Sequence, residues 1–190
     1  MKKIHSGLLL TAILVLLTAA LRVLNAEMHW YHLIPLSALG IFSGSVLEDK
    51  RWSYLIPLSA FFLSDLGLAL FTNQQGFYGV SQIMNYAALA LVTFMGTHLQ
   101  RRNVLNIGLF TLSGSLVYFL ISNFGTYLSG YYGYSWSSLV ECYTMAIPFY
   151  KSELATQFFS NSLLGDLAFS FVAFSVWSLV KVRQPSEGLA

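Results

Sequence analysis

Long apolar runs constrain the fold of this chain more than any other feature of its sequence. A helix needs about 20 mostly apolar residues to cross the hydrocarbon layer of a bilayer, and runs of roughly that length follow one another from Gly7 to Val182. Only 9% of the residues are charged, against about 25% in soluble domains. Because a soluble fold of 190 residues could not bury so much apolar surface, the sequence predicts an integral membrane protein.

Six apolar runs predict an all-α fold, a polytopic membrane helix bundle with about six transmembrane helices in one domain, residues 1–190. The predicted spans are residues 7–24, 33–47, 52–71, 79–99, 104–128 and 158–182. Residues 129–157 form a predicted external cap, in which Trp136–Phe149 is too polar and too short to cross the bilayer. We expect an extra interfacial or re-entrant helix there, between spans five and six.

The first span has a second interpretation as a cleaved signal peptide. It has a Lys-rich start, an apolar middle and a small residue at Ala26, which are the features of such peptides. Arg22 argues against cleavage, because the region before a cleavage site is usually uncharged. The other five spans keep their orientation under either interpretation.

The basic residues predict the orientation, since Lys and Arg are concentrated in the cytoplasmic loops of membrane proteins. With both termini in the cytoplasm, most of the 10 basic residues fall in cytoplasmic segments. These are Lys2, Lys3, Lys50, Arg51, Arg101, Arg102, Lys181 and Arg183. The pattern predicts a multi-pass protein with cytoplasmic N- and C-termini.

Strongly polar side chains within the predicted spans are few, and in this orientation all lie in the outer half of the bilayer. Such residues are costly in a membrane and by default indicate function. We predict an outward-facing substrate-binding site made by Arg22, Asp65, Asn85, Asn123 and Asp166. The predicted cap residues above it are Tyr127, Tyr131, Glu141 and Tyr143.

The same polar residues also fit a structural role. Arg22 could pair with Asp65 or Asp166 and hold the helices together. One Arg against two Asp would leave a carboxylate that is protonated or is met by a cationic or hydrogen-bonding group. Gly40 and Gly44 form a small-x-x-x-small pattern that allows close helix contact, within the protein or in a dimer.

Other functional classes lack a sequence signal. There is no Walker A loop or other Gly-rich phosphate loop, so no cofactor is predicted, and no metal site is assigned. The net charge of +2 does not argue for nucleic acid. The single Cys142 excludes an intramolecular disulfide, and no set of Ser, His and Asp residues argues for catalysis. An enzyme is therefore not predicted.

Several segments resemble an uncharacterised family of small bacterial integral membrane proteins. They are SNFGTYL at Ser122–Leu128, ECYTMAIPF at Glu141–Phe149 and NSLLGDL at Asn161–Leu167, with IPLSALGIFSG at Ile34–Gly44 and LSDLGL at Leu63–Leu68. That family is similar to the substrate-binding S components of energy-coupling-factor vitamin transporters. The resemblance implies six helices, both termini inside and an outward-facing site capped by loops, in a multi-pass protein of the bacterial cytoplasmic (inner) membrane.

One motif of S components is missing from this chain. They often carry Ala-x-x-x-Ala on the first helix, where the coupling subunit docks, whereas here Ala12 is followed four residues later by Leu16 and Ala19 by Val23. The missing motif puts docking to an energy-coupling ATPase module in doubt, and it leaves open both a solitary transporter and a relative that has left the transport system.

The predicted function is binding or uptake of a small, vitamin-like organic nutrient in the membrane. The expected partners are membrane lipid and a small-molecule ligand. Two alternatives stay open at this point. One is a structural or assembly membrane protein without a ligand, and the other is a membrane enzyme that acts on a lipid.

Overall fold

The computed structural model describes residues 12–13, 15–24, 35–146 and 152–182, with side chains at all of these positions except 152–162 and 181–182. Within these residues the regular structure is entirely α-helical, which confirms the predicted all-α class. The helices are α1 (Val15–Leu24), α2 (Leu36–Val46), α3 (Lys50–Phe71), α4 (Val80–Thr97), α5 (Val104–Leu128), α6 (Trp136–Ala146) and α7 (Ser152–Val182).

Four of the described helices are long and apolar enough to cross a membrane: α3, α4, α5 and the Leu163–Val180 part of α7. Large apolar side chains on these helices point outward, and Ile83, Leu105 and Val172 are each at least 60% exposed. Such side chains are suited to contact with lipid. The four helices coincide with predicted spans three to six.

The first two predicted spans are not matched by long helices, since α1 and α2 are shorter apolar helices. Several predicted features lie outside the described residues. They are the start of span one with its Lys2 and Lys3, the cleavage region near Ala26, the start of span two at Leu33, residues 147–151 of the cap, and both chain termini. The six-span count and the cytoplasmic termini therefore stay predictions.

α2 lies at the centre of the bundle. All residues of Leu36–Ser45 are buried, and α2 contacts α3, α4, α5 and α7. Its 11 residues extend only about 16 Å at a rise of 1.5 Å per residue, whereas the hydrocarbon layer is about 30 Å thick. The predicted span 33–47 is matched by a helix only over Leu36–Val46, and its apolar composition fits the burial of α2 on all sides.

Glycines allow α2 and α4 to cross closely. A Cβ added at Gly44 would overlap the Thr93 carbonyl and lie 2.9 Å from Thr97 N. A Cβ added at Gly96 would lie 2.6 Å from the Ile41 carbonyl oxygen. The small-x-x-x-small pattern at Gly40 and Gly44 is therefore used in packing within the protein.

Side chains distant in sequence cap both ends of α2. At its N-terminus, Ala38 N donates to Asp166 Oδ1 of α7 at 3.1 Å. At its C-terminus, the Arg102 guanidinium donates to the Ser45 carbonyl. A carboxylate at the first turn and a cation at the last turn satisfy free backbone groups and oppose the helix dipole.

The C-termini of α2 and α4 and the N-termini of α3 and α5 meet at one end of the bundle, here named the basic end. Lys50, Arg51, Arg101 and Arg102 lie in the chain at this end, and Lys50 Nζ donates to the Gly44 carbonyl at 3.3 Å. An apolar core cluster lies between this end and the middle of the bundle. Its buried members are Ile41, Phe42, Val92, Leu99, Ile107, Ala173 and Phe174.

Candidate functional site

A partly open cavity of about 580 Å³ lies at the opposite end, here named the cavity end. Every described helix contributes to its wall. The lining residues are Arg22, Leu36, Ser37, Phe61, Tyr78, Ser81, Asn85, Ser115, Tyr118, Phe119, Ser122, Asn123, Thr126, Tyr132, Cys142, Met145, Ala146, Leu163 and Asp166. The volume falls in the range of about 300–1,000 Å³ that is usual for small-molecule sites.

The longest part of the wall comes from α5. Its lining residues recur at intervals of three and four positions, so they occupy one face of the helix. They are Ser115, Tyr118, Phe119, Ser122, Asn123 and Thr126. Only Asn123 of this face is among the predicted binding residues, although the neighbouring Ser, Tyr and Thr residues share its helical spacing.

Arg22 of α1 lines the cavity, and its charge is neutralised by Asp65 of α3. The two side chains form an ion pair with 2.5 Å between Arg22 Nη1 and Asp65 Oδ1. Arg22 Nη1 also donates to Ser64 Oγ at 2.7 Å, and the guanidinium lies over the Phe61 ring, 4.3 Å from its centroid. These contacts fix the guanidinium between α1 and α3.

Asp65 itself does not line the cavity, since it is fully buried behind Arg22. Its second oxygen, Oδ2, accepts hydrogen bonds from Gln82 Nε2 at 2.8 Å and from the Tyr86 hydroxyl at 3.2 Å. With one cation and two further donors, the carboxylate is satisfied by the protein. Asp65 was predicted as a substrate contact, but its position suits it to hold Arg22 in place.

The two predicted asparagines both line the cavity. Asn85 Oδ1 accepts from the Tyr118 hydroxyl at 2.9 Å, and Asn85 Nδ2 donates to the Ser81 carbonyl at 2.8 Å. Asn123 Nδ2 donates to the Phe119 carbonyl at 2.8 Å. Within the described residues Asn123 Oδ1 accepts no hydrogen bond, so it can accept one from a bound molecule.

Asp166 of α7 lines the cavity although it is only 2% exposed. Its Oδ1 accepts from Ala38 N at 3.1 Å, and its Oδ2 accepts from Ser115 Oγ at 2.7 Å. One helical turn further along α7, Ser170 accepts a hydrogen bond of 2.9 Å from Thr111 of α5. These paired contacts join α5 to α7 below the cavity.

The helix predicted in the external segment is present as α6, and it covers part of the cavity. Cys142, Met145 and Ala146 line the cavity from α6, at the spacing of one helix face. Cys142 Sγ donates to the Asn123 carbonyl at 3.3 Å, and the Tyr143 hydroxyl donates to the Leu120 carbonyl at 2.6 Å.

The four predicted cap residues do not line the cavity. Tyr127 donates to the Tyr134 carbonyl at 2.8 Å, Tyr143 bonds to α5 as described, and Tyr131 and Glu141 are exposed. Tyr132 lines the cavity instead. The turn before α6 contains Gly130 and Gly133, both with positive φ. Because this backbone conformation is neither helical nor extended, the periodicity of the sequence does not predict which side chains of the turn face the cavity.

Two titratable groups beside the cavity, the Cys142 thiol of α6 and the Tyr78 phenol of the α3–α4 loop, have raised pKa values. Burial raises the pKa of the Cys142 thiol, while a hydrogen bond from the Tyr127 backbone opposes this rise. Burial also raises the pKa of the Tyr78 phenol, with the Arg22 guanidinium beside it opposing the rise. Tyr78 therefore remains able to donate a hydrogen bond, and the Cys142 thiol is a weak nucleophile.

The long apolar helices and the polar cavity at one end define a helical membrane protein with a candidate small-molecule site. The chain belongs to DUF6580, a family of unknown function whose profile matches residues 2–187. No curated protein and no solved structure matches the chain.

Proposed function

We propose that this chain is a membrane-embedded binding or uptake protein for a small organic nutrient. The cavity carries the proposal. Four residues predicted to bind substrate, Arg22, Asn85, Asn123 and Asp166, come from four helices and line the same space. Each such residue costs free energy in a membrane, and a shared, ligand-sized cavity is a reason for a chain to retain all of them.

The proposed site opens to one side of the membrane only. Below the cavity, the apolar core cluster fills the bundle, with the Phe42 and Phe174 rings in edge-to-face contact at 5.2 Å between centroids. By the positive-inside rule the basic end faces the cytoplasm, so the cavity end faces outward from a bacterial inner membrane. Uptake would then require α2 and α7 to separate at this aromatic contact.

We also propose that the chain shares the helix arrangement of the S components of vitamin transporters. An outward cavity covered by a short helix supports it. An energy-coupling ATPase module is left out, because α1 carries Leu16 and Val23 where an Ala-x-x-x-Ala pattern would need alanine. The proposed partners are the ligand and membrane lipid.

The first experiment asks whether the purified protein retains a small molecule. The full chain is extracted gently and examined by native mass spectrometry, and we expect a bound species of a size that fits about 580 Å³. The same molecule, once identified and added back, should raise Tm and slow maleimide labelling of Cys142, whose side chain lines the cavity.

Asn123→Ala should weaken retention of that molecule, because it removes the amide that faces the cavity. Gln74→Ala is the matched control, since Gln74 is an exposed amide in the α3–α4 loop. Two results together would reject the proposal. Every preparation would contain protein without a bound small molecule, and added cell extract would not change the rate at which a maleimide labels Cys142.

A structural role without a ligand is the second candidate, and specific contacts favour it. The Arg22–Asp65 pair joins α1 to α3, and Asp166 caps α2 from α7. Polar groups that only hold helices together would give stability losses on mutation, with no retained molecule and no protection of Cys142. No observation among the described residues favours a membrane enzyme.

A further inference from the structure

We propose that the molecule bound in this cavity is an organic cation with a planar ring, and that Asp166 is its counter-ion. This inference rests on the proposed function, because it names the chemical class of the ligand for the same site. It follows from the charges around the cavity, from the aromatic wall and from the cavity volume.

Arg22 is not available as a partner for an anionic ligand. Its guanidinium is 2.5 Å from Asp65 Oδ1, bonded to Ser64 Oγ and stacked on Phe61. An anionic ligand would have to compete with a carboxylate that is already in place and fully buried. The pair of Arg22 and Asp65 therefore presents no net charge to the cavity.

Asp166, in contrast, has no cationic partner among the described residues. All its hydrogen-bond donors are neutral, namely the backbone N–H groups of Ala38 and Ser37 and the hydroxyls of Ser115 and Ser37. The N-terminus of α2 adds only a partial charge of about +0.5. A buried carboxylate without a counter-ion is costly, and a cation bound in the adjoining cavity removes that cost.

The wall of the cavity is rich in aromatic side chains. Five aromatic side chains line the cavity: Phe61, Tyr78, Tyr118, Phe119 and Tyr132. The faces of such rings attract cations, and they stack on planar groups. The Arg22 guanidinium over Phe61 is one cation–π contact already present in this wall.

The experiment uses three soluble probes that share one pyridine ring and differ in charge. They are 1-methylnicotinamide, which is cationic, nicotinamide, which is neutral, and nicotinate, which is anionic. Each is added at the same millimolar concentration to the full-length protein in detergent or nanodiscs. The readout is the rate at which a maleimide labels Cys142, the single cysteine of the chain, with the Cys142→Ser variant as the blank.

Occupancy of the cavity should slow labelling by the factor 1 + [L]/Kd, which is about threefold at twice the Kd. We expect this protection from 1-methylnicotinamide, little from nicotinamide and none from nicotinate. Equal rates with all three probes, or better protection by nicotinate, would overturn the inference. The comparison uses the unmutated protein, so it does not depend on whether any variant folds.

A substitution then tests the role of Asp166. In Asp166→Asn the amide oxygen can still accept from Ala38 N, and the amide nitrogen can donate to Ser115 Oγ, so the variant removes charge and keeps the bonding pattern. Protection by 1-methylnicotinamide should fall to the level seen with nicotinamide. Glu48→Gln is the control, because it removes the same charge from an exposed residue at the basic end.

Persistent cation preference in Asp166→Asn would show that Asp166 is not the counter-ion. Native mass spectrometry separates failure of this inference from failure of the proposed function. A retained neutral or anionic molecule would overturn the cation proposal and leave the binding protein intact. Protein that retains nothing and is protected by no probe would reject both.

Discussion

The two ends of the bundle are built from the same helices but are stabilised in different ways. At the cavity end, buried polar groups meet in pairs, such as Arg22 with Asp65 and Ser115 with Asp166. At the basic end, apolar side chains such as Phe42 fill the interior, and the charged groups of Lys50 and Arg102 donate to carbonyls at the end of α2. The cavity end therefore depends on specific bonding, whereas the basic end depends on close packing.

This contrast indicates where function can be located. A closely packed apolar core tolerates neither gaps nor added atoms, so it leaves no room for a ligand. Polar groups held apart around a cavity leave room, and each can be positioned by a neighbour, as Tyr118 positions Asn85.

Asp65→Asn should be the most damaging charge substitution at the cavity end. It leaves Arg22, whose side chain is 12% exposed, without its counter-ion, and such a loss costs about 3–5 kcal/mol. For a chain of this size each kcal/mol lowers Tm by about 2–4 °C, which thermal unfolding in detergent can measure.

The double variant Arg22→Gln with Asp65→Asn is the control, since it removes both charges and should recover part of the lost stability. If Asp65→Asn alone leaves Tm unchanged, the cavity end does not depend on this pair.

Gly44→Ala should show that the α2–α4 crossing depends on packing. The added Cβ would overlap the Thr93 carbonyl, and overpacking of this kind costs about 1–3 kcal/mol. In the control, Gly108→Ala, the new Cβ would lie 3.6 Å from Phe171 Cζ, an ordinary contact. That variant should be neutral or more stable, because Ala favours a helix over Gly by about 1 kcal/mol. Equal Tm for the two variants would contradict the close crossing.

Thiol labelling should separate the open end from the closed end directly. Cys142 lines the cavity, whereas Ala173 lies in the apolar core cluster. Both positions are buried, with Cys142 2% and Ala173 4% exposed, but Ala173 borders only a void of about 10 Å³, which is too small to admit a maleimide. In Ala173→Cys made with Cys142→Ser, we therefore expect a soluble maleimide to react about tenfold more slowly, or not at all.

The pH dependence of labelling provides a second measurement. Since burial raises the pKa of the Cys142 thiol and the thiolate is the reactive form, its labelling rate should keep rising with pH beyond the pKa of a free cysteine. Faster reaction at position 173 than at Cys142 would reverse the assignment of open and closed ends.

Arg102→Gln should have the smallest effect. It removes the donor to the Ser45 carbonyl and the cation 4.9 Å from the Trp177 ring centroid, but the side chain is exposed. We expect a loss of about 1 kcal/mol, measured as a small fall in Tm. The difference in Tm between the variant and the unmutated protein should shrink in added salt, because salt screens the charge of Arg102. Arg101→Gln removes the same charge one position away and should change Tm less.

The sequence predicted the long helices well because each has a clear apolar run between polar ends. The predicted span 104–128 has the same bounds as α5, and Asn103 caps that helix by accepting from Asn106 N. The described part of the second predicted span, α2, is enclosed by other helices, and apolar composition does not distinguish such a helix from one that faces lipid. α7 begins at Ser152, six residues before the predicted 158, because a helix can continue through polar residues that hydropathy does not count.

The candidate site was predictable where a residue is costly in a membrane, as for Arg22 and Asp166. Ser115, Tyr118 and Ser122 were missed, since Ser and Tyr are tolerated in membrane helices and attract attention only through their shared face on α5. To predict the cap residues correctly, one must know which face of α6 is turned to the cavity. In the structure Cys142 faces inward and Glu141 outward. The sequence alone does not fix the rotation of a short helix about its axis.

The capping of α2 by Asp166 has a consequence for how the chain is made. The two bonded residues, Ala38 and Asp166, are 128 positions apart, so the ribosome completes nearly all of the protein before the first turn of α2 meets its acceptor. Until then α2 can pack against α3, α4 and α5, which precede α7 in the chain, but its neighbour α7 does not yet exist. Its final placement must therefore be a late step of assembly, and a nascent chain that stops before α7 leaves its central helix unfinished.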